Sequence, residues 1–172
     1  SLQKISDEWD KISIPNIQDK RNKYTCGTTA LITLVVGHTV HIIWIGDSRT
    51  VWKVDNNKSV YSTKDHKPDK NDLLEGAFIK NGRINGVLAV GRAIGDNGMK
   101  TKGALKRTPS YISYEYKKKT EIVMGSDGVY DKLSSNHTVF EPSFIEKINQ
   151  QKKGKLGFFT DNTTMIKIRL KT

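Results

Sequence analysis

Residues 122–131 read Ile122-Val123-Met124-Gly125-Ser126-Asp127-Gly128-Val129-Tyr130-Asp131. An apolar β run ends here on Gly-Ser-Asp-Gly, so a carboxylate stands directly at a strand end, where it is costly unless exposed, capped or bound to a cation. The arrangement recurs at Ile42-Ile43-Trp44-Ile45-Gly46-Asp47-Ser48, and Asp161-Asn162 opens onto the alternating run 163–170. Three such carboxylates, if they converge, form a hard-cation site with oxygen ligands suited to Mg²⁺ or Mn²⁺. Asp-Ser, Asp-Gly and Asp-Asn are equally good turn formers, and the residues alone leave both readings open.

Outward from these strand ends the chain is rich in short β runs. Leu31 to Val36, Val40 to Ile45, Thr50 to Val54 and Ser59 to Tyr61 are separated by Gly37-His38, Gly46-Asp47-Ser48 and Asp55-Asn56-Asn57, which predicts an antiparallel meander. The first two runs are apolar nearly throughout and are expected to be buried on both faces. A second block holds Val87 to Val90, Tyr111 to Tyr116 and Glu121 to Met124, and the half-exposed run 163–170 closes the chain. Helices are expected in three places: over Leu2, Ile5, Trp9 and Ile12 at spacings of 3, 4 and 3; over 69–80 on Leu73, Leu74, Ala77 and Phe78; and over 141–151 on Phe144, Ile145 and Ile148. Residues 14–24 read as a polar connector, and the Gly- and Lys-rich stretch 95–109 as a loop.

The chain has 172 residues, 35% of them hydrophobic, with 29 Lys and Arg against 18 Asp and Glu, a net charge of +11. That length supports one domain, and the composition excludes a disordered chain. No run approaches the roughly 18 apolar residues of a membrane-spanning helix, so a soluble protein with no membrane partner is expected. The charge is compatible with nucleic acid, but the lysines are spread along the whole chain, and nucleic acid is not the expected partner. Local clusters stand at Lys100, Lys102, Lys106 and Arg107, at Lys117 to Lys119, and at Lys152, Lys153 and Lys155. The single Cys26 forms no internal disulfide; it reads as a small core residue or a nucleophile, and an intracellular location, cytoplasmic or nuclear, is expected. His66 before Lys67-Pro68 is a structural histidine or a general base. Arg92, in an apolar run between Gly91 and Gly95, implies a buried ion pair or an anion contact.

Taken together, six segments resemble the protein phosphatase 2C family of metal-dependent Ser/Thr phosphatases. They are Gly27-Thr28-Thr29-Ala30, Trp44-Ile45-Gly46-Asp47-Ser48-Arg49, Thr63-Lys64-Asp65-His66-Lys67-Pro68, the run 82–96 from Gly82-Arg83-Ile84 to Ile94-Gly95-Asp96, Met124-Gly125-Ser126-Asp127-Gly128-Val129-Tyr130-Asp131, and Thr160-Asp161-Asn162-Thr163-Thr164, in the family's order. The resemblance implies an α+β fold, an α-β-β-α sandwich of two mainly antiparallel sheets flanked by helices. It implies one domain over 1–172, with an opening helix and connector over 1–24, a motif-bearing core over 25–172, and 95–109 as a flap beside the catalytic cleft. It further implies Asp127 and Asp161 as ligands of one Mg²⁺ or Mn²⁺, and Asp47 near a weaker third site. Gly46, Ser126, Gly128, Asn162 and Arg92 are the supporting motif residues, and phosphoproteins are the implied substrates or partners.

The resemblance also exposes what does not match. The family's Asp-Gly-His-Gly-Gly strand end, which bridges two metals, has no counterpart in residues 1–26, nor do its early Glu ligand and its phosphate-holding Arg. No catalytic residue beyond the metal ligands is therefore identifiable, and the N-terminal strands of the fold are expected to be lacking. Two situations produce such a sequence: an inactive module that binds proteins, or an incomplete record of an active phosphatase.

Overall fold

The computed structural model describes residues 4–5, 7–8, 27–54, 59–73, 76–96, 105–116, 119–131, 133–151 and 161–170. Lys4, Ile5, Asp7 and Glu8 are helical, and Ile5 is exposed. Leu2, Trp9, Ile12, the connector, Cys26 and residues 97–104 of the expected flap lie outside the described residues. Eleven strands are present among those described: β1 (Gly27–Thr28), β2 (Ala30–Val36), β3 (Thr39–Ile45), β4 (Arg49–Lys53), β5 (Val60–Ser62), β6 (Ile79–Lys80), β7 (Arg83–Ile84), β8 (Ile94–Gly95), β9 (Ser110–Glu115), β10 (Thr120–Gly125) and β11 (Met165–Leu170). Two α-helices follow β10: α1 (Asp127–Tyr130) and α2 (Pro142–Gln151).

The strands form a four-stranded sheet in the order β11-β10-β4-β5, a three-stranded sheet β2-β3-β9, and the pairs β1-β8 and β6-β7. The expected meander is therefore interrupted: β2 and β3 stay in one sheet, and β4 and β5 join another. The break falls at Gly46, whose φ of +106° an L side chain rarely adopts. The site has no room for one either, since a Cβ there would stand 2.2 Å from Thr29 Cγ2.

The chain groups into two compact units. The first comprises 1–33, 42–47 and 65–112, and two apolar clusters hold it: Ile45 and Ile94 with Ala30 and Ile43, and Ile84, Val90, Ala93 and Leu105 with Leu73, Ala77 and Leu88. The second comprises 34–41, 48–64 and 113–172. Its core joins Val51 and Val123, on one face of β4 and β10, to Val129, Tyr130, Val139, Phe144 and Ile148. Phe144 and Ile148 are spaced i, i+4 on α2, as the helical periodicity predicts.

Three expectations are corrected. Strand β2 is not buried on both faces: Ile32, Leu34 and Val36 are exposed while the alternate residues are partly covered, so the pleat rather than the apolar run decides burial. The helix over 69–80 is a single 3-10 turn at Lys70–Asp72, because Leu73 is already extended (ψ 140°) and turns with Ala77 into the Ile84 cluster. Asn81 and Gly82, both left-handed (φ 54° and 71°), close the β6–β7 hairpin. Val87 to Val90 is no strand. Asn85 and Gly86 (φ 51° and 72°) bend the chain so that only Leu88 bridges back to Ile84. In β11, Met165 rather than the isoleucines packs on the core of the second unit, and Ile166 is exposed.

Phe144 is a large, fully buried side chain of the second unit. Phe144→Ala is expected to lower its stability by about 3–5 kcal/mol, read as a shifted urea midpoint by the fluorescence of Trp52, which lies in that unit.

Candidate functional site

In the second unit, β10 and β11 pair antiparallel with Gly125 opposite Met165. That register sets the residues after β10 beside those before β11, which brings Asp127 and Asp161 to neighbouring strand ends. Ser126 fixes the junction. Its backbone N–H donates to the Thr164 carbonyl (3.0 Å), its hydroxyl donates to the Asn162 carbonyl (3.2 Å), and its Oγ accepts the Thr164 N–H (3.1 Å). Gly128 allows the close approach, since a Cβ there would stand 2.5 Å from the Asn162 carbonyl oxygen. Each carboxylate also holds its own turn: Asp127 Oδ1 accepts the Gly128 N–H (2.9 Å), and Asp161 Oδ1 accepts the Asn162 N–H (2.6 Å). Below them, the Tyr130 hydroxyl donates to the Val123 carbonyl (3.1 Å), pinning α1 to β10. Arg49 lies over the Tyr130 ring (4.8 Å) and donates to Asn136 Oδ1 (2.9 Å).

Asp127 is half-buried and Asp161 exposed, so both carboxylates keep oxygen lone pairs within reach of solvent. This donor set fits one hard cation that retains much of its water. Among the described residues no third His, Cys, Asp or Glu joins them. The set therefore does not amount to a two-metal centre.

Asp47 belongs to the first unit. Its buried carboxylate takes a 2.6 Å ion pair from Lys67, so a cation already answers its charge. The neighbouring His66 ties this strand end together. Its Nδ1 accepts the Gly46 N–H (3.1 Å), which places the proton on Nε2, 2.9 Å from Ser110 Oγ. The ring stacks on Trp44, and the His66 backbone is bonded to Gly46 and Gly91 on either side. Ser110 Oγ also receives Arg92 Nη1 (3.3 Å), which donates to the Thr108 carbonyl as well (3.1 Å). Arg92 pairs with Asp72 across 3.7 Å, and Lys106 binds the same carboxylate. These two cations, Lys106 foremost, hold the Asp72 carboxyl below its ordinary range. Of the two readings of Arg92, the ion pair is the one present. His66 is structural: both ring nitrogens are engaged in positioning. Lys67, Ser110 and Asp72 were not singled out from the sequence. Lys67 had a signal, because a lysine next to His66 is placed to answer a buried Asp47; Ser110 and Asp72 had none.

Burial, reinforced by Arg92, lowers the His66 pKa from 6.5 to about 4, against the opposing pull of Asp65, Asp72 and Asp47. The unfolded chain therefore binds a proton that the folded one refuses between those values. Stability that is complete above pH 6.5 is expected to fall as pH drops toward about 4, by an amount on the order of 2 kcal/mol. His66→Phe should flatten this slope in urea denaturation across the same pH range. In the second unit, Gly128→Ala is expected to cost about 1–3 kcal/mol in the same assay, because its Cβ collides with backbone.

A sequence model of the family described as Protein phosphatase 2C matches residues 2–153, a range that stops short of Asp161. The chain is similar to Probable protein phosphatase 2C 3 of Paramecium tetraurelia, 36% identical over 121 residues, which are 63% of this chain and 40% of that protein. Its fold is like that of the serine-threonine phosphatase 2C of Toxoplasma gondii, with a TM-score of 0.64 at 17% identity, over 98% of this chain and 66% of that one. It is also like the catalytic domain of PstP, solved in complex with two manganese ions, with a TM-score of 0.56 at 18% identity, over 98% of this chain and 65% of that one. The chain thus spans less than half the length of the curated relative.

Proposed function

Since the chain belongs to the protein phosphatase 2C family, we propose that its residues serve the metal-dependent hydrolysis of phosphoserine and phosphothreonine in proteins, with Asp127 and Asp161 as the carboxylates that hold a Mg²⁺ or Mn²⁺. One observation carries this reading: Ser126 laces the end of β10 onto Asn162 and Thr164, so that the turns bearing the two carboxylates adjoin.

A divalent cation bound at these carboxylates supplies an activated water and neutralises phosphoryl oxygens. The chain's own residues do the positioning. Ser126 and Gly128 set the spacing of the two strand ends, while Tyr130 and Arg49 hold α1 behind them. In the first unit, Lys67 compensates Asp47 and His66 clamps Gly46, which keeps that strand end ordered around a buried carboxylate. Asp47 in this reading is a supporting residue near a weaker cation site. Intracellular phosphoproteins are the substrates that fit the lineage.

A second reading, a catalytically inactive module that binds proteins, is favoured by the donor set, which holds no third His, Cys, Asp or Glu among the described residues. Two carboxylates hold one cation weakly and do not by themselves run a two-metal reaction. Calorimetry of the 172-residue chain with Mn²⁺ is expected to show weak binding that Asp127→Asn and Asp161→Asn each abolish. Hydrolysis of a phosphopeptide and of p-nitrophenyl phosphate by this chain is expected to equal that of Asp127→Asn. Absence of any Mn²⁺ heat dependent on these two aspartates would remove the metal assignment. A rate above background that Asp127→Asn removes would exclude the inactive module.

A further inference from the structure

The second unit carries a basic cluster at the other end of the β11-β10-β4 sheet. In register across three strands stand Lys53 of β4, Glu121 of β10 and Arg169 of β11, and Lys167 lies two residues from Arg169 on the same face. All three cations converge on one carboxylate. Glu121 Oε2 is 3.4 Å from Lys53 Nζ and 3.2 Å from Lys167 Nζ, and Oε1 is 3.4 Å from Arg169 Nε. The Phe140 ring backs the cluster, 4.7 Å from Lys53 Nζ and 5.7 Å from Lys167 Nζ.

Three positive charges against one negative leave a surplus of two among the described residues, and Lys167 is only 15% exposed. Partly desolvated like charges repel more strongly than they would in water, and their one shared anion does not balance them. Arg169 meets Glu121 through Nε alone. The guanidinium carries two further Nη groups, the fork that grips oxyanions in bidentate fashion. Its side chain is 63% exposed, and with Lys167 it lines an open recess of about 380 Å³. Burial pushes the Glu121 carboxyl up, but Lys167 and Lys53 pull it below its ordinary value, so the carboxylate stays charged and holds the three cations in place.

We propose that Lys53, Lys167 and Arg169 form a binding site for a phosphate group, whose charge of about −2 at neutral pH matches the surplus and whose oxygens suit one guanidinium fork and two ammonium groups. The site is separate from Asp127 and Asp161. Those residues flank the Gly125–Met165 end of the strand pair, and Arg169 lies four residues further along β11, about 13 Å at strand rise. The proposal does not rest on the proposed activity.

The test is calorimetric titration of the metal-free full chain in EDTA with inorganic phosphate, with chloride at matched ionic strength as control, beside Arg169→Gln, Lys167→Met and the double variant Asp127→Asn/Asp161→Asn. Binding of phosphate over chloride is expected, weakened about tenfold or more by Arg169→Gln and by Lys167→Met and unchanged in the double aspartate variant. Arg169 is exposed, so circular dichroism of Arg169→Gln should match the parent and keep the test valid if Lys167→Met misfolds. A phosphopeptide that binds more tightly than phosphate, and more tightly than its unphosphorylated form, identifies a phosphoprotein as the source; equal affinity for phosphopeptide and phosphate identifies free phosphate. No phosphate binding beyond that of chloride, an unchanged affinity in Arg169→Gln, or preference for single-stranded RNA over both phosphate ligands would overturn the proposal.

Discussion

The hydroxyl of Ser126 makes two hydrogen bonds to a segment some 36 residues away in sequence, donating to the Asn162 carbonyl and accepting the Thr164 amide. Most of the second unit depends on that clasp. It fixes the register of β10 against β11, and with it the facing pairs from Gly125–Met165 to Thr120–Leu170. It also sets where the chain leaves β10 to form α1, so that Val129 and Tyr130 face Val51, Val123 and Phe144. A one-residue slip would turn Val123 and Met165 out of the core and bring exposed positions in. The strand end that carries the chemistry is thus the strand end that carries the register.

The first unit solves a different problem, the burial of charge. Asp47 sits where an apolar strand stops, and an unpaired carboxylate there would be strongly destabilising. Lys67 answers it directly. His66, the residue before Lys67, bonds Gly46, the residue before Asp47, so the backbone on both sides of the ion pair is held by the same two dipeptides. Ser110 and Arg92 extend the polar chain to Asp72 and Lys106. Each member orients the next, and the histidine stays neutral in a region that contains three acids because burial, reinforced by Arg92, outweighs their pull.

Much of this was legible in the sequence. Where a run was long and an end was marked by Gly-Asp, Ser-Asp-Gly or Asp-Asn, as in 40–45, 121–124 and 163–170, the sequence shows both the strand and its terminal carboxylate. Pro142 and the Phe144/Ile148 spacing likewise announced α2. Legibility failed where short range and long range disagreed. Residues 69–80 have helical spacing, yet Leu73 and Ala77 gain more by joining Ile84 and Val90 than a short, Gly-containing helix would gain by forming. Residues 31–36 are apolar but for Thr33, and only the pleat shows which half is covered. The partners of His66 and Arg92 could not be read at all, because Ser110 and Asp72 are ordinary surface residue types until the fold brings them within hydrogen-bond distance.

The net charge of +11 illustrates the same limit in a different quantity. As a composition it reads as a diffuse excess of lysine. The fold sorts it: Lys67 and Lys106 are spent on buried or half-buried carboxylates, and Lys53, Lys167 and Arg169 are gathered on one. Strand alternation is what gathers them. Residues 165, 167 and 169 share a face, as do 49, 51 and 53; Met165 and Val51 pack on the core, and Lys167, Arg169 and Lys53 follow them toward the far end of the sheet. Pairing β10 between them sets Glu121 opposite Arg169 and Lys53, and Val123 opposite Lys167 and Val51. A single carboxylate in the central strand suffices to let three cations share a sheet face without splaying it, and the charge it leaves unbalanced is a property of the register rather than of the composition.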